Sequence, residues 1–456
     1  MDDLEELLKT NPPADTKRLI DTVIGLGDLD MDYACIESLE YRDTSTRTIS
    51  RVLGRGAFKM VLKDDVKALA VFLKKDDEDD SPRNELLNLQ EILTSVLLSS
   101  HRGSMPNFLH VDAIFRTKTC RRFFPEDTIA FRMELCNAEL DDELVSDETP
   151  GPRLSLRQFD GYFFQLCCAL AYMHSVLDIY HLDIKPSNIL LTSLGDATVK
   201  NATFRYTFGA KQFSITLPQQ IALLKIADLG SSMPGVSSYF HTTSGTLSYR
   251  PPEYFLQGLT GPAGSCTDVF AVGLMMLEAY LGMGHDEFIE QLVEQKLCFS
   301  DEIEDFLFEH VDSPRLCQLV YGYFVVFSTR DDIELYRQVK TEGATGWPIG
   351  AGDVTLALTS MLDEDDMFQC DWRLYSIQCG SDKDLVELRA KICQGEASDN
   401  HTRLNAFLSM LRLDPSKRAT AATLVTSPLF AHLEVKGGGR SNDAGNVVCC
   451  LSEDLF

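Results

Sequence analysis

The chain has 456 residues, 44 % hydrophobic and 24 % charged, a globular profile long enough for two or three domains or one large two-lobed unit. Its 42 basic residues stand against 69 acidic ones, a formal net charge of −27, which argues against nucleic-acid or anionic-membrane binding. The 13 cysteines contain no CxxC, the N-terminus has no signal-peptide profile and no apolar run is long enough to span a bilayer. A zinc site is therefore not expected, and the expected setting is a reducing one, the cytoplasm with the nucleus as alternative.

Residues 1–47 are acidic, with helical potential in DDLEELLKT and a Pro-Pro break behind it, and read as a weakly ordered leader. From Arg51 to about Leu140 the pattern is mainly strands: RVLG, FKMVLK and VKALAVFLKK alternate with period two around a tight KDD turn. The charged run KKDDEDDSP is a solvated loop whose Ser-Pro starts a helix at about Arg83, RNELLNLQEILTSVLL. FRMELC is a buried strand that leads into a connector. Beyond Leu156 helices dominate, beginning with LRQFDGYFFQLCCALAYMHS. Two segments look inserted. Residues 195–218 form an alternating pair around Gly-Ala, expected to protrude as a β-hairpin, and residues 283–400 carry acidic helical stretches. Residues 434–456 read as a flexible tail.

Chemistry concentrates in HLDIKPSNILL, residues 181–191. The Asp183 carboxylate can orient a hydroxyl and accept its proton, Lys185 can neutralise a transferring phosphoryl group, and the Asn188 amide oxygen can ligate Mg²⁺. KIADLGSS then puts Asp228 at the end of an apolar strand before a flexible Leu-Gly, suited to a metal-binding carboxylate. SGTLSYRPPE, DVFAVGLMMLE and LDPSKRAT follow in that order.

This ordered series, over about residues 48–433, resembles the eukaryotic-type protein kinases of the serine/threonine class. The resemblance implies an α+β bilobal fold, a small β-rich N-lobe (about 48–135) and a larger helical C-lobe (about 137–433), with ATP and Mg²⁺ as cofactors and protein substrates. It implies Asp183 as catalytic base, Lys185 as its phosphate-side partner, Asn188 and Asp228 as Mg²⁺ ligands, and Thr246 as the bridge between Asp183 and Lys185. Glu253 and Arg418 resemble a buried ion pair, and Asp268 a brace for the catalytic loop. Glu134 and Cys136 fall in a hinge-like strand whose backbone would bind adenine, with Met133 at the back of the pocket.

Two departures stand out. In the family pattern GxGxxGxV, Gly54 and Gly56 are followed by Lys59 at the third glycine position, with Val61 two residues on. The next strand reads ALAVF, so Ala68 faces adenine and Ala70 occupies the usual lysine position. Residues i and i+2 share a strand face, so Lys59 points with Val61 into the cleft. The pattern is similar to the glycine loop of With-No-Lysine kinases. Lys67 should face away and Lys74 lies further along, while a one-residue slip in this short hairpin would flip the whole face. Glu85 is the expected partner of Lys59, ahead of Glu91.

The second departure is Leu182, where many members have Arg, so a phosphate on the activation segment would lose its usual partner. Arg250 and the YRPPE segment lean instead toward the SR-protein and dual-specificity kinases. Chloride sensing is not implied: Leu229 matches the With-No-Lysine pattern and Ser231 does not. The favoured reading is an active serine/threonine kinase using Lys59. A pseudokinase scaffold is the alternative, and a small-molecule or lipid kinase a weaker third. Regulatory partners are expected at the inserted segments, and basic substrates suit the acidic surface.

Overall fold

The structure is a computed structural model that describes residues 35–36, 52–55, 59–64, 67–72, 82–117, 129–144, 153–193, 201–218, 221–234, 245–251, 264–296, 402–412, 415–430 and 433–437. Six strands form the first sheet: β1 (Cys35–Ile36), β2 (Val52–Arg55), β3 (Lys59–Asp64), β4 (Lys67–Phe72), β5 (Val111–Thr117) and β6 (Ile129–Glu134), in the order β1-β5-β6-β4-β3-β2. The β3–β4 register sets Lys59 opposite Phe72, Val61 opposite Ala70 and Lys63 opposite Ala68. Side chains alternate along a strand, so Lys59 and Val61 share one face with Ala68, Ala70 and Phe72.

That face is the core of the small lobe. Ala68, Ala70, Phe72, Val111, Phe131 and Met133 pack with Ile92 from helix α1 (Pro82–Ser100), and Val61 lies against them. Ala70 is completely buried. The helix begins at Pro82, whose missing N–H costs nothing in a first turn.

The large lobe is built on helices that are apolar nearly all round, as central helices must be. After β7 (Ala138–Glu139) and the short α2 (Asp141–Leu144) comes α3 (Leu156–Ser175), buried without a break from Phe159 to Met173. Ser155 and Gln158 form a reciprocal capping box that fixes its start. α4 (Ser265–Leu281) is equally buried and ends on Gly282, whose φ of 71° is the left-handed cap that glycine adopts without strain. Short strands carry the loops between these helices. β8 (Ile179–Tyr180) pairs with β13 (Met233–Pro234), and β9 (Ile189–Thr192) lies between β12 (Leu223–Ile226) and β7. α5 (His285–Lys296), α6 (Thr402–Met410) and α7 (Ala421–Val425) complete the helical set among the described residues. The two apolar cores are separate, which makes the fold bilobal.

The inserted hairpin differs from expectation. β10 (Asn201–Phe208) and β11 (Lys211–Pro218) pair over their full length around Gly209 and Ala210, but they do not protrude. Phe204, Tyr206, Phe208, Phe213, Ile215 and Leu217 are buried in the large-lobe core, with Tyr206 edge-on to Phe164 of α3. An alternating strand with one wholly apolar face must cover that face, and α3 is the available surface. The tail also departs from expectation: β14 (Glu434–Gly437) adds antiparallel to β11, so its first residues are part of a three-stranded sheet. The leader, apart from Cys35–Ile36, lies outside the described residues, as does the helical insertion beyond α5.

Candidate active site

The catalytic loop runs between β8 and β9 and is held from below by α4. Asp268, in the first turn of α4, accepts the backbone N–H groups of His181 at 2.9 Å and Leu182 at 2.7 Å. A second contact comes from His181, whose Nε2 lies 2.9 Å from the Ala227 carbonyl, tying the loop to the end of β12. Under these constraints Leu182 takes a positive φ of 63°, unusual for a branched residue, and the chain turns so that Asp183 faces the cleft.

Asp183 is nearly buried and its carboxylate is fully oriented. One oxygen accepts the Thr246 N–H at 2.7 Å and the other the Asn188 amide at 2.9 Å. Lys185 donates to the Thr246 hydroxyl at 2.7 Å and stands 3.4 Å from Asp183. Asp183, Lys185 and Thr246 thus form one connected group, although 61 residues separate Lys185 from Thr246. The Asn188 amide nitrogen also donates to the Asp183 carbonyl at 2.8 Å, which fixes the amide with its oxygen as the remaining ligand atom.

Asp228 sits at the end of β12 in the left-handed conformation, with φ 59° and ψ 70°. Strain of this kind persists only where surrounding contacts hold it. The contact here is Lys59, whose ammonium is 2.7 Å from the Asp228 carboxylate and also paired with Glu91 of α1. Burial works against the charged ammonium, yet the two carboxylates beside Lys59 outweigh it and hold its pKa above the usual lysine value. Burial likewise pushes the Asp228 carboxyl up, but Lys59 more than reverses that and holds it below the usual range.

The helix partner of Lys59 is Glu91, not Glu85. Six residues along an α-helix amount to a rotation of about 240°, so positions 85 and 91 belong to different faces. Glu91 adjoins the buried Ile92 and Leu93, and a charge inside that apolar stretch was the available signal. Lys67 lies opposite Glu134 in the β4–β6 register, on the alternate phase from Ala68 and Ala70. Lys74, Gly56 and Glu253 lie outside the described residues, so the Glu253–Arg418 pairing does too. Arg418 itself donates to the carbonyls of Arg412 at 2.9 Å and Cys266 at 3.0 Å.

The hinge follows β6. Met133 lies opposite Ala68, and Val61 packs against the same apolar cluster, which brings the three residues together. Gly54 pairs with Val61 in the β2–β3 register and is exposed, with nothing near the position a Cβ would take. Cys136 accepts the Thr192 hydroxyl at 3.2 Å, and burial pushes its thiol up to about 11. One feature of the hinge was not foreseen from sequence. Buried Lys225 of β12 pairs with Glu134 at 2.7 Å and donates to the Phe108 carbonyl at 3.1 Å, joining the hinge strand to the strand that carries Asp228.

Asn188 and Asp228 are the oxygen donors that could hold Mg²⁺. Two side chains suffice only if phosphate oxygens and water complete the shell, the usual way this ion is bound. Among the described residues no group of three or more His, Cys, Asp or Glu forms a metal cage, and no helix is long and apolar enough to cross a membrane.

Comparison with known proteins agrees with this geometry. The family model for the protein kinase domain matches residues 47–430. The chain is 28 % identical over 243 residues to CBL-interacting protein kinase 20 of Oryza sativa subsp. japonica, covering 51 % of this chain and 44 % of the relative. It is 30 % identical over 155 residues to serine/threonine-protein kinase STK11 of Rattus norvegicus, covering 33 % and 28 %. It is 32 % identical over 159 residues to the probable serine/threonine-protein kinase nek1 of Dictyostelium discoideum, covering 34 % and 30 %. The chain thus spans less than half the length of these relatives. With the two lobes, the oriented aspartate and a matched segment that takes in most of the sequence, the chain belongs to the protein kinase family.

Proposed function

We propose that this protein is an active serine/threonine kinase that contacts the ATP phosphates through Lys59, transferring the γ-phosphoryl group to hydroxyls of protein substrates. The observation that carries this reading is the ion-paired position of Lys59 between Glu91 and Asp228, on the sheet face where Ala70 is buried. A cation at that point compensates for the alanine at the usual lysine position. The With-No-Lysine resemblance of the glycine loop accords with it.

In this reading Asp183 accepts the proton of the substrate hydroxyl, its geometry set by Thr246 and Asn188. Lys185 and Lys59 would neutralise phosphate oxygens, and Asn188 and Asp228 would hold Mg²⁺, which would supply further charge neutralisation. The Lys59 contact with Asp228 would loosen as both groups turn to the nucleotide. Cys136 and Glu134 would offer backbone groups to adenine, beside the apolar surface of Val61, Ala68 and Met133.

Leu182 supports activity without activation-segment phosphorylation. In place of a phosphate-binding arginine, Leu182 packs with Tyr180 and Met233, and β13 pairs with β8, so an apolar contact anchors the start of the segment. Arg250 is buried and reaches the Gly245 carbonyl at 3.3 Å, which accords with the leaning toward the SR-protein and dual-specificity kinases. The thiols of Cys136, Cys167 and Cys168 are free, which suits a reducing compartment such as the cytoplasm. Regulatory partners would engage the acidic helical insertion.

The test is phosphoryl transfer from radiolabelled ATP to a generic basic protein by the wild type, Lys59→Met and Asp183→Asn. Transfer by the wild type and loss in both variants is expected. Equal rates for wild type and Asp183→Asn would leave the pseudokinase reading. Full activity in Lys59→Met would refute the displaced lysine alone.

A further inference from the structure

The hairpin inserted between β9 and β12 makes a backbone contact on each of its two edges. β14 pairs with β11 from Phe213 to Thr216, so the sheet runs β10-β11-β14 and β10 is an outer strand. Along a strand the N–H and C=O groups of successive residues turn to alternate sides. Thr207, opposite Gln212 in the hairpin, turns outward, and its N–H donates to the Ser104 carbonyl at 2.9 Å. Ser104 belongs to the turn that follows α1, in which the Ser104 and Met105 N–H groups both bond back to the His101 carbonyl at 2.9 Å.

The next residue, Phe208, is buried and meets the ring of Tyr172 in α3 edge-on, with 5.3 Å between centroids. The Tyr172 hydroxyl stands 2.9 Å from Nδ1 of His101, and its ring meets Phe108 at 5.8 Å. Leu98 of α1, Met105 and Phe108 are buried in the same core as Tyr172 and Phe208. The C-terminal end of α1 is thus seated in the large lobe, and the hairpin closes over that seat. From Ser100 back to Glu91 is about 14 Å of helix axis. A helix held only at Glu91 is free to pivot about that point; a second hold at its end fixes its direction.

We propose that the inserted hairpin is a brace for α1, with Thr207 as the positioning residue. Its bond to Ser104 fixes the end of α1, and so the direction from which Glu91 meets Lys59. The effect of the brace on catalysis rests on the kinase reading above. What Thr207 contributes is its N–H and an extended backbone, not its hydroxyl. Because β11 also carries β14, the same sheet joins the strand at Glu434–Gly437 to the helix that holds Lys59.

The test is Thr207→Pro, which removes the outward N–H and leaves the β11 side of the hairpin alone, since proline is tolerated at a strand edge. It is expected to lower kcat/KM for ATP by about threefold to tenfold, the scale of one backbone hydrogen bond, with the KM of a generic basic protein substrate unchanged. Amide exchange of residues 101–105 is expected to quicken in the same variant. Thr207→Val, which keeps the N–H and the branched shape, is expected to match wild type. In a Glu91→Gln background Thr207→Pro should have no further effect, because the pair through which the brace acts is already lost. Losses that multiply independently in the two backgrounds overturn the proposal, as does wild-type kcat/KM in Thr207→Pro or an equal loss in Thr207→Val. Where Thr207→Pro does not fold, the wild type decides: a Thr207 amide that exchanges as freely as an open strand edge overturns the proposal. Absence of transfer by the wild type overturns the kinase reading; the exchange of residues 101–105 then decides the brace, and unchanged rates in Thr207→Pro overturn it.

Discussion

Lys59 of β3 and Glu91 of α1 close an ion pair across 32 positions of the chain, with Asp228 as a third member 169 positions from Lys59. The pair joins the small lobe's sheet to its helix, and the Asp228 contact joins both to the loop after β12 in the large lobe. One ammonium thus couples three elements of the two lobes.

Removing either partner should show this coupling. Glu91→Gln is expected to lower kcat/KM for ATP by about tenfold to a hundredfold, and Lys59→Met by about a hundredfold or more, the scale for losing one pre-organised charge partner. Substitution at Glu85, on another helix face, should stay within about twofold. Steady-state kinetics at varied ATP check all three; equal losses at 85 and 91 would refute the assigned pairing.

Gly245 is a second sensitive point. Its φ of 96° lies where L-residues are strained, and a Cβ there would stand 2.8 Å from the Leu182 carbonyl. Gly245→Ala must therefore push the 246–250 segment off the catalytic loop, breaking the Thr246–Asp183 bond. The expected result is near-complete loss of transfer with a stability cost of about 1–3 kcal/mol, read from a thermal melt beside the assay. Full activity in this variant would show that the segment does not need its close approach.

The buried pair of Arg403 in α6 and Asp160 in α3 is a bidentate contact that ties the helices after the insertion to the central core. Arg403→Met removes the bidentate partner of buried Asp160, a loss that costs about 3–5 kcal/mol in such settings. Replacing both by apolar residues should cost much less. Thermal melting of the single and double variants checks this, and an Arg403→Met protein as stable as wild type would show that the pair is solvated.

A pH effect follows from Asp141 and Glu139, exposed residues set among other carboxylates at the start of the large lobe. Burial raises the Asp141 carboxyl above its usual range, with Glu278 and Asp142 adding to it; burial raises Glu139 too, with Asp142 and Asp141. A carboxyl whose folded pKa is raised gives its full stabilisation below the unfolded value, about 3.9 for Asp, and loses it as pH rises through the folded pKa. At neutral pH the ionised form is a burden on the fold. Asp141→Asn should therefore raise Tm slightly at neutral pH, by about a degree at most because solvent screens an exposed charge, with the gain vanishing toward pH ~4. A gain that persists in acid would point to packing instead.

Much of this was legible in residue patterns. The period-two alternation of FKMVLK and VKALAVF set Lys59 and Ala70 on one face before any contact was known, because a strand offers only two faces. The β3–β4 register then decided the one-residue ambiguity in that hairpin. Glu91 was harder, since a helix offers many azimuths and the choice between Glu85 and Glu91 depends on which of them turns to the sheet. The hairpin at Asn201–Pro218 was recognised as a hairpin but not as a buried one, for its apolar face does not say what covers it.

The sequence alone determined the order of the chemical groups, the lobe that carries each, and the strand face on which Lys59 stands, all properties of local periodicity and spacing. Only the tertiary structure decided which distant groups meet: Lys59 with Glu91 and Asp228, Lys185 with Thr246, and Thr207 with Ser104. Such pairings depend on how helices and strands are stacked around separate cores. That stacking is set by the summed burial of many apolar side chains and not by the polar residues that it brings together.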